Sequence, residues 1–265
     1  MNPNLLGGWP VYLAFILLAN VVGVAVALRV GASAGIRPRR LLPPLLVLMV
    51  AALAGAKLYS ILERGSVLPL SQEAMAGYRF PGAAAAVLLL VAGGGRRIFF
   101  FGQSPRLVAD MIAPSFGTGT AVIRVGCFLT GCCSGTRTNL PWGVKFPRGS
   151  ETWYRQVSNG WIGSNALESL AVHPLQLYLG LLCLLLGGLA WWFQRRKACD
   201  GQVFLAYLSA HAFGKFLLEF LRADHAYRVQ SLSLGVAVAA GTLLLLGAPS
   251  EGLDALPVVS RSGRR

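Results

Sequence analysis

Charge is scarce in this sequence. Only 13% of its 265 residues are Asp, Glu, Lys or Arg, while 55% are hydrophobic, whereas a soluble domain carries about a quarter charged residues. The mean hydropathy of +0.59 points the same way. An ordinary soluble domain is excluded, and a polytopic membrane protein is expected. Acidic residues are scarcer still, 10 against 24 basic ones. In a soluble chain that surplus would suggest nucleic acid. Here the basic residues sit mostly in short stretches between apolar runs, as orientation signals and contacts to anionic lipid, so membrane lipid is the expected partner and nucleic acid is not. Paired CxxC and HExxH spacings are both missing, which argues against a thiol oxidoreductase or a zinc hydrolase. No metal and no cofactor are expected. The first ten residues carry no basic stretch and the apolar run from Trp9 is too long for a leader's core, so no cleavable leader is expected. No internal repeat or low-complexity segment is evident. Transporters often show repeats and midplane sites, so a transporter is disfavoured.

Apolar runs, by contrast, are plentiful. Seven stretches approach the ~20 residues that a helix needs to cross ~30 Å of hydrocarbon: 9–30, 41–62, 82–102, 107–126, 174–194, 202–221 and 228–247. The expected fold is all-α: one transmembrane domain over 1–247 with about seven helices and a periplasmic loop region near 127–173 between the fourth and fifth. Residues 248–265 are expected to form a disordered cytoplasmic tail. Pro114 and several glycines predict a kinked or broken fourth helix. Basic residues cluster after the first, third and fifth spans and in the tail (Arg37, Arg39, Arg40, Arg96, Arg97, Arg195, Arg196, Arg265 among them). The positive-inside rule then puts the N-terminus outside and the C-terminus in the cytoplasm. Asp110 counts among the loop charges of the inner side. Trp142, Trp153 and Trp161 suggest that the long loop rests on or dips into the interface.

Four ionisable residues are left inside the spans: Lys57, Arg124, Lys215 and Glu219. A charge at membrane depth costs ~2.5–3.5 kcal/mol on insertion scales and persists where it has a partner or a function. Counted along straight helices, all four fall in one layer near the outer leaflet. Glu219 follows Lys215 by four residues and can pair with it. One carboxylate cannot neutralise three cations, and the surplus seeks an anion, in this layer a phospholipid phosphate. The plainer alternative is that each cation snorkels to water independently. Tyr12, Tyr59, Gln176 and Tyr178 lie at the same level. His173 precedes Pro174 as a helix start, either as a cap or as a catalytic group. Arg222 closes the sixth span as an anchor or a second phosphate contact.

Several motifs then fall into series: RVGCFLTGCCSG at Arg124–Gly135, WGVKFP at Trp142–Pro147, HPLQLY at His173–Tyr178, FLLEFLR at Phe216–Arg222 and GAKLYSIL at Gly55–Leu62. Together they resemble the prolipoprotein diacylglyceryl transferase family over most of the chain. The resemblance implies a seven-helix enzyme of the bacterial inner membrane. It would move the diacylglyceryl group of phosphatidylglycerol onto the lipobox cysteine of a prolipoprotein peptide, releasing glycerol phosphate. Residue by residue, the resemblance carries the family's essential positions onto Arg124, Gly135, Lys215, Glu219 and, loosely, Tyr12, with Lys57 and Lys215 in place of arginines; the base is His173 or Glu219, or none is needed. Joined to the reading above, the expected catalytic set is Arg124, Lys215, Glu219 and His173, with substrate contacts at Lys57, Tyr12, Arg222, Cys127, Gly135, Gln176 and Tyr178. Cys127, Cys132 and Cys133 match a cysteine-containing variant of the signature and read as packing or stapling residues; an oxidising compartment permits a disulfide there. The departures are Ile123 before the signature arginine, lysines at 57 and 215, Leu179 after HPLQLY, and Phe80-Pro81-Gly82 where the family has a histidine before two glycines. A divergent phospholipid-binding paralogue without catalysis is the second reading.

Overall fold

The computed structural model describes residues 11–64, 86 and 104–223. Apart from residue 86, the expected spans 82–102 and 228–247 and the tail 248–265 lie outside the described residues. Among the described residues six helices follow in order: α1 (Val11–Ser33), α2 (Pro38–Arg64), α3 (Pro105–Thr130), α4 (Glu151–Ser158), α5 (Leu175–Phe193) and α6 (Gln202–Glu219). Four of them, α1, α2, α3 and α5, are long and apolar enough to cross a membrane. The sixth expected span is a helix too, although His211, Lys215 and Glu219 dilute its apolar character.

α3 is the element against which the others are arranged. Ala19 of α1 lies beside Gly119, and Phe15 beside Gly126, so α1 runs antiparallel to it. α5 is antiparallel on another side. Here the backbones nearly touch: a Cβ on Gly117 would sit 2.6 Å from the Cys183 carbonyl oxygen and 2.7 Å from the Gly187 Cα. Small residues permit this close approach, which is how helices associate when lipid removes the hydrophobic drive. α6 runs parallel to α3, with Phe116 edge-on to both Tyr207 and His211 at 6.1 Å. α2 folds back on α1 through a short turn, and Leu41 and Leu45 join Ala27, Val30, Val108 and Met111 in a buried cluster. The outward leucines of α5, including Leu181, Leu184, Leu185 and Leu189, are exposed, as a lipid-facing surface requires. The start of α1, the end of α3, the start of α5 and the end of α6 therefore meet at one end, hereafter the Arg124 end.

α3 runs as one continuous helix through Pro114, so of the two outcomes expected there, kinked or broken, a break is not the one found. Proline at 114 removes the N–H that would have bonded to the Asp110 carbonyl. The Gln194 side-chain amide donates to that carbonyl instead, so the ladder is repaired from α5. The Asp110 side chain is also not a loop charge, as the sequence suggested, but fully buried within α3. Its Oδ2 accepts from Lys197 Nζ at 2.7 Å and from the Gly201 N–H at 2.9 Å; its Oδ1 accepts from the Phe204 N–H at 2.9 Å. The carboxylate thus caps the N-terminus of α6 from a different helix, where both the orphan N–H groups and the helix dipole favour an anion. Partial burial works against the Lys197 ammonium, but Asp110 and Asp200 outweigh it and hold its pKa above the ordinary lysine value. This clamp fixes how far α6 slides along α3, and hence the depth of Lys215 and Glu219 at the other end.

Residues 131–174 form an ordered cap over the Arg124 end. α4 starts at Ser150, whose hydroxyl accepts from the Trp153 N–H. Thr152 donates to the Gly131 carbonyl at 2.8 Å and meets Ser134 Oγ at 2.7 Å, which also accepts from Arg155. Trp153 is buried, donating Nε1–H to the Ala166 carbonyl at 2.9 Å, while Trp142 and Trp161 stay exposed.

Candidate functional site

The last turns of α3 carry Arg124 inward. Its stem packs against α5, where a Cβ on Gly180 would lie 3.3 Å from the Arg124 Cβ. Its Nε is buried with no hydrogen-bond partner among the described residues. From α6, Lys215 comes within electrostatic reach of Arg124, Arg222 and Glu219. Neither Arg124 nor Lys215 has an ion pair among the described residues. The pairing expected between Lys215 and Glu219 is not the one formed. Glu219, buried in the last turn of α6, sits 3.4 Å from Arg222 Nε. The α6 helix ends at Glu219, and the turn after it carries Arg222 back over the carboxylate. Three cations and one carboxylate therefore converge, leaving Arg124 and Lys215 as the uncompensated pair.

Main-chain atoms join the surrounding elements. The Gly135 N–H donates to the His173 carbonyl at 3.0 Å, and the Thr136 N–H to the Leu221 carbonyl at 2.7 Å. Gly135 also bridges to Arg222. A Cβ on Gly135 would come within 2.8 Å of both the His173 Cβ and the Leu221 carbonyl oxygen. The signature loop, the start of α5 and the end of α6 are thus held in one seam. Gln176, fully buried, donates to the Cys132 carbonyl at 2.5 Å. The Tyr178 hydroxyl accepts from Trp142 Nε1–H at 2.8 Å and lies 3.4 Å from His173 Nδ1. Tyr12, from α1, is within electrostatic reach of Arg124 and of Cys127, Cys132 and Cys133. Lys57 is half-buried in the final turns of α2, which run toward this same end.

All five cysteines are free thiols. Gly131, in a left-handed conformation at φ 69°, ends α3, and the Cys132 N–H reaches back to the Cys127 carbonyl at 3.1 Å. That closure folds Cys132 and Cys133 against Cys127. The Cys133 thiol is held well below the ordinary cysteine range by its hydrogen bonds to Cys127 and Cys132, with Arg124 and Arg222 adding to the effect against burial.

Sequence reasoning missed His211. Its ring stacks on Tyr207 at 5.8 Å, its Nδ1 lies 3.6 Å from Cys183 Sγ, and it is within electrostatic reach of Lys215 and Arg124. The signal was present: His211, Lys215 and Glu219 recur every four residues, so they share a helix face. Cys183 belongs to the same group. The Gly-Ala-Ser-Ala-Gly string at 31–35 is no nucleophile elbow, since it lies on the last turn of α1 and Ser33 donates to the Arg29 carbonyl.

A family model described as prolipoprotein diacylglyceryl transferase matches residues 9–248. Among curated proteins, the phosphatidylglycerol–prolipoprotein diacylglyceryl transferase of Clostridium tetani is 30% identical over 136 residues, 51% of this chain and 49% of that protein. Its namesake in Corynebacterium efficiens is 32% identical over 143 residues, 52% of this chain and 42% of that protein. That of Bordetella parapertussis is 34% identical over 116 residues, 43% and 38% respectively. The chain spans half or less of the length of these curated relatives. No solved structure matches it. The family match extends over nearly all of the sequence and takes in every element of the convergent site, so the chain belongs to the prolipoprotein diacylglyceryl transferase family.

Proposed function

We propose that this protein transfers the diacylglyceryl group of phosphatidylglycerol to the lipobox cysteine of a prolipoprotein, at the outer face of the bacterial inner membrane. The N-terminus would be periplasmic and the C-terminus cytoplasmic. In this reaction the thiol sulfur forms a bond to the glyceryl carbon, the carbon–oxygen bond to phosphate breaks, glycerol phosphate leaves and the thiol proton is taken up by a base. The observation that carries the reading is the pair of half-buried cations, Arg124 and Lys215, that form no salt bridge among the described residues, with Arg124 Nε itself buried. Cations fixed where negative charge develops on a leaving phosphate lower the barrier without reorganising at the moment of reaction. The same field favours the thiolate of the incoming cysteine.

In this scheme Arg124 and Lys215 hold the phosphate, and Glu219 keeps Arg222 in place beside it. His173 or Glu219 receives the proton. Lys57, Tyr12, Gln176, Tyr178, Cys127 and Gly135 shape the headgroup and peptide sites. The test is mass spectrometry of a lipobox peptide incubated with the purified protein and phosphatidylglycerol. The peptide should gain one diacylglyceryl group, and Arg124→Ala should lower the rate by ~10²–10³-fold, the effect of losing one anion-stabilising donor. Unchanged turnover in Arg124→Ala would refute these roles. A second reading, a phospholipid-binding paralogue without transfer, is favoured by Pro81 and Lys215, which stand where the family has histidine and arginine. It predicts retained phosphatidylglycerol binding and no product.

A further inference from the structure

We infer that Cys127, Cys132 and Cys133 form a binding site for one soft, thiophilic metal ion of the zinc or copper(I) type. The three sulfurs lie within 4.8 Å of one another, the one such grouping of metal-ligating side chains among the described residues. Zinc–thiolate bonds of ~2.3 Å put tetrahedrally placed sulfurs about 3.8 Å apart. Closure therefore asks for about 1 Å of side-chain movement.

The site was invisible to spacing rules because it does not use the CxxC knuckle. Cys127 is on the last full turn of α3, and the reversal at Gly131 returns the next two cysteines to it. Cys133 adopts a left-handed conformation, φ 57°, the one non-glycine residue among the described residues to do so. Side chains other than Gly, Asn and Asp rarely accept that conformation. Its effect is to aim a third thiol at a place where two already meet. Cys127 is buried whereas Cys132 and Cys133 are half-buried, so an ion can enter from the cap side.

The charges also fit. Each ligating thiol gives up its proton, and three thiolates with one divalent ion leave a net charge of −1. Arg124 and Arg222 are both within electrostatic reach of Cys133 and supply the compensating positive charge. Thiolate sets of this kind select zinc and copper(I) over hard cations. A bound ion would pin the turn at the end of α3 to the helix itself. The inference rests on the cysteine geometry and not on the proposed transfer, although it shares Cys127 and Arg124 with that site.

The test uses the full chain in detergent, purified without oxygen in a phosphine reductant. It is dialysed against Zn²⁺, or against Cd²⁺ for its sulfur-to-metal absorption band. One ion per chain should be retained, and alkylation followed by peptide mass spectrometry should find Cys127, Cys132 and Cys133 protected only when metal is present. Cys132→Ser combined with Cys133→Ser should weaken retention by ~100-fold or more, while Cys199→Ser leaves it unchanged. The protection measured on the unmutated chain stands even where the double variant fails to fold. No retention by the reduced chain, retention insensitive to the double substitution, or recovery of these thiols as a disulfide from freshly quenched cells would each overturn the assignment.

Discussion

Replacing Asp110 by alanine tests how far the end of the molecule remote from Arg124 governs the whole. The substitution removes a fully buried carboxylate with three side-chain contacts: Lys197 at 2.7 Å and the Gly201 and Phe204 N–H groups at 2.9 Å each. Breaking a buried ion pair costs ~3–5 kcal/mol, and loss of a helix cap ~0.5–2 kcal/mol. The terms overlap, because one carboxylate serves both, and Lys197 keeps Asp200 at 2.8 Å as a second partner. A total of about 3–5 kcal/mol is therefore expected, or on the order of 6–20 °C in melting temperature for a chain this size. Asp110→Asn keeps an acceptor for Phe204 but turns an amide toward Lys197, and should fall between the two. The pH dependence has a definite sign. Lys197 has a raised folded-state pKa, so its contribution is complete at neutral pH and is lost only as pH climbs through and beyond the ordinary lysine range. The assay is thermal unfolding in detergent followed by tryptophan fluorescence. An Asp110→Ala melting temperature within ~2 °C of the parent would refute the clamp, since at most about 1 kcal/mol could then rest on it.

Four further substitutions probe the Arg124 end and the α3–α5 contact. Lys215→Ala should reduce transfer by ~10²-fold or more with the fold intact, and Lys215→Arg should keep or raise the rate, because the guanidinium grips phosphate with two donors; steady-state kinetics with a lipobox peptide decides. Gly135→Ala inserts a methyl against the His173 Cβ and the Leu221 carbonyl, and should cost ~1–3 kcal/mol in thermal unfolding. Gly117→Ala drives a methyl into the α5 backbone at 2.6–2.7 Å. It should destabilise by ~1–3 kcal/mol or more, measured the same way, with a change of under ~0.5 kcal/mol counting against the close approach.

Much of this arrangement was legible in the sequence. Hydropathy located every described membrane-length helix to within a few residues, because lipid forces the backbone to satisfy itself inside each segment. Counting along those helices also put Arg124, Lys215 and Glu219 at one level. What counting could not supply was azimuth. Which neighbour Glu219 chooses depends on the turn after α6, and that turn is set by the seam to Gly135, not by local spacing. The continuity of α3 through Pro114 was hidden for a similar reason: its missing donor is replaced by Gln194, a residue 84 positions away. Asp110 was misplaced because a charge near the end of an apolar run reads as a loop residue unless its distant partners are known. His211 needed only the four-residue recurrence with Lys215 to be noticed.

The Asp110 clamp also has a consequence for the order of assembly. The side-chain amide that serves the Asp110 carbonyl comes 84 residues later, and the ammonium and N–H groups that serve its carboxylate come 87, 91 and 94 residues later. At ~5–20 residues per second of synthesis, the nascent chain carries that carboxylate for roughly 4–17 s before any of them exists. The helix reaches its final seat only when the α5–α6 connection arrives, so the membrane core is locked from its later-made half backward.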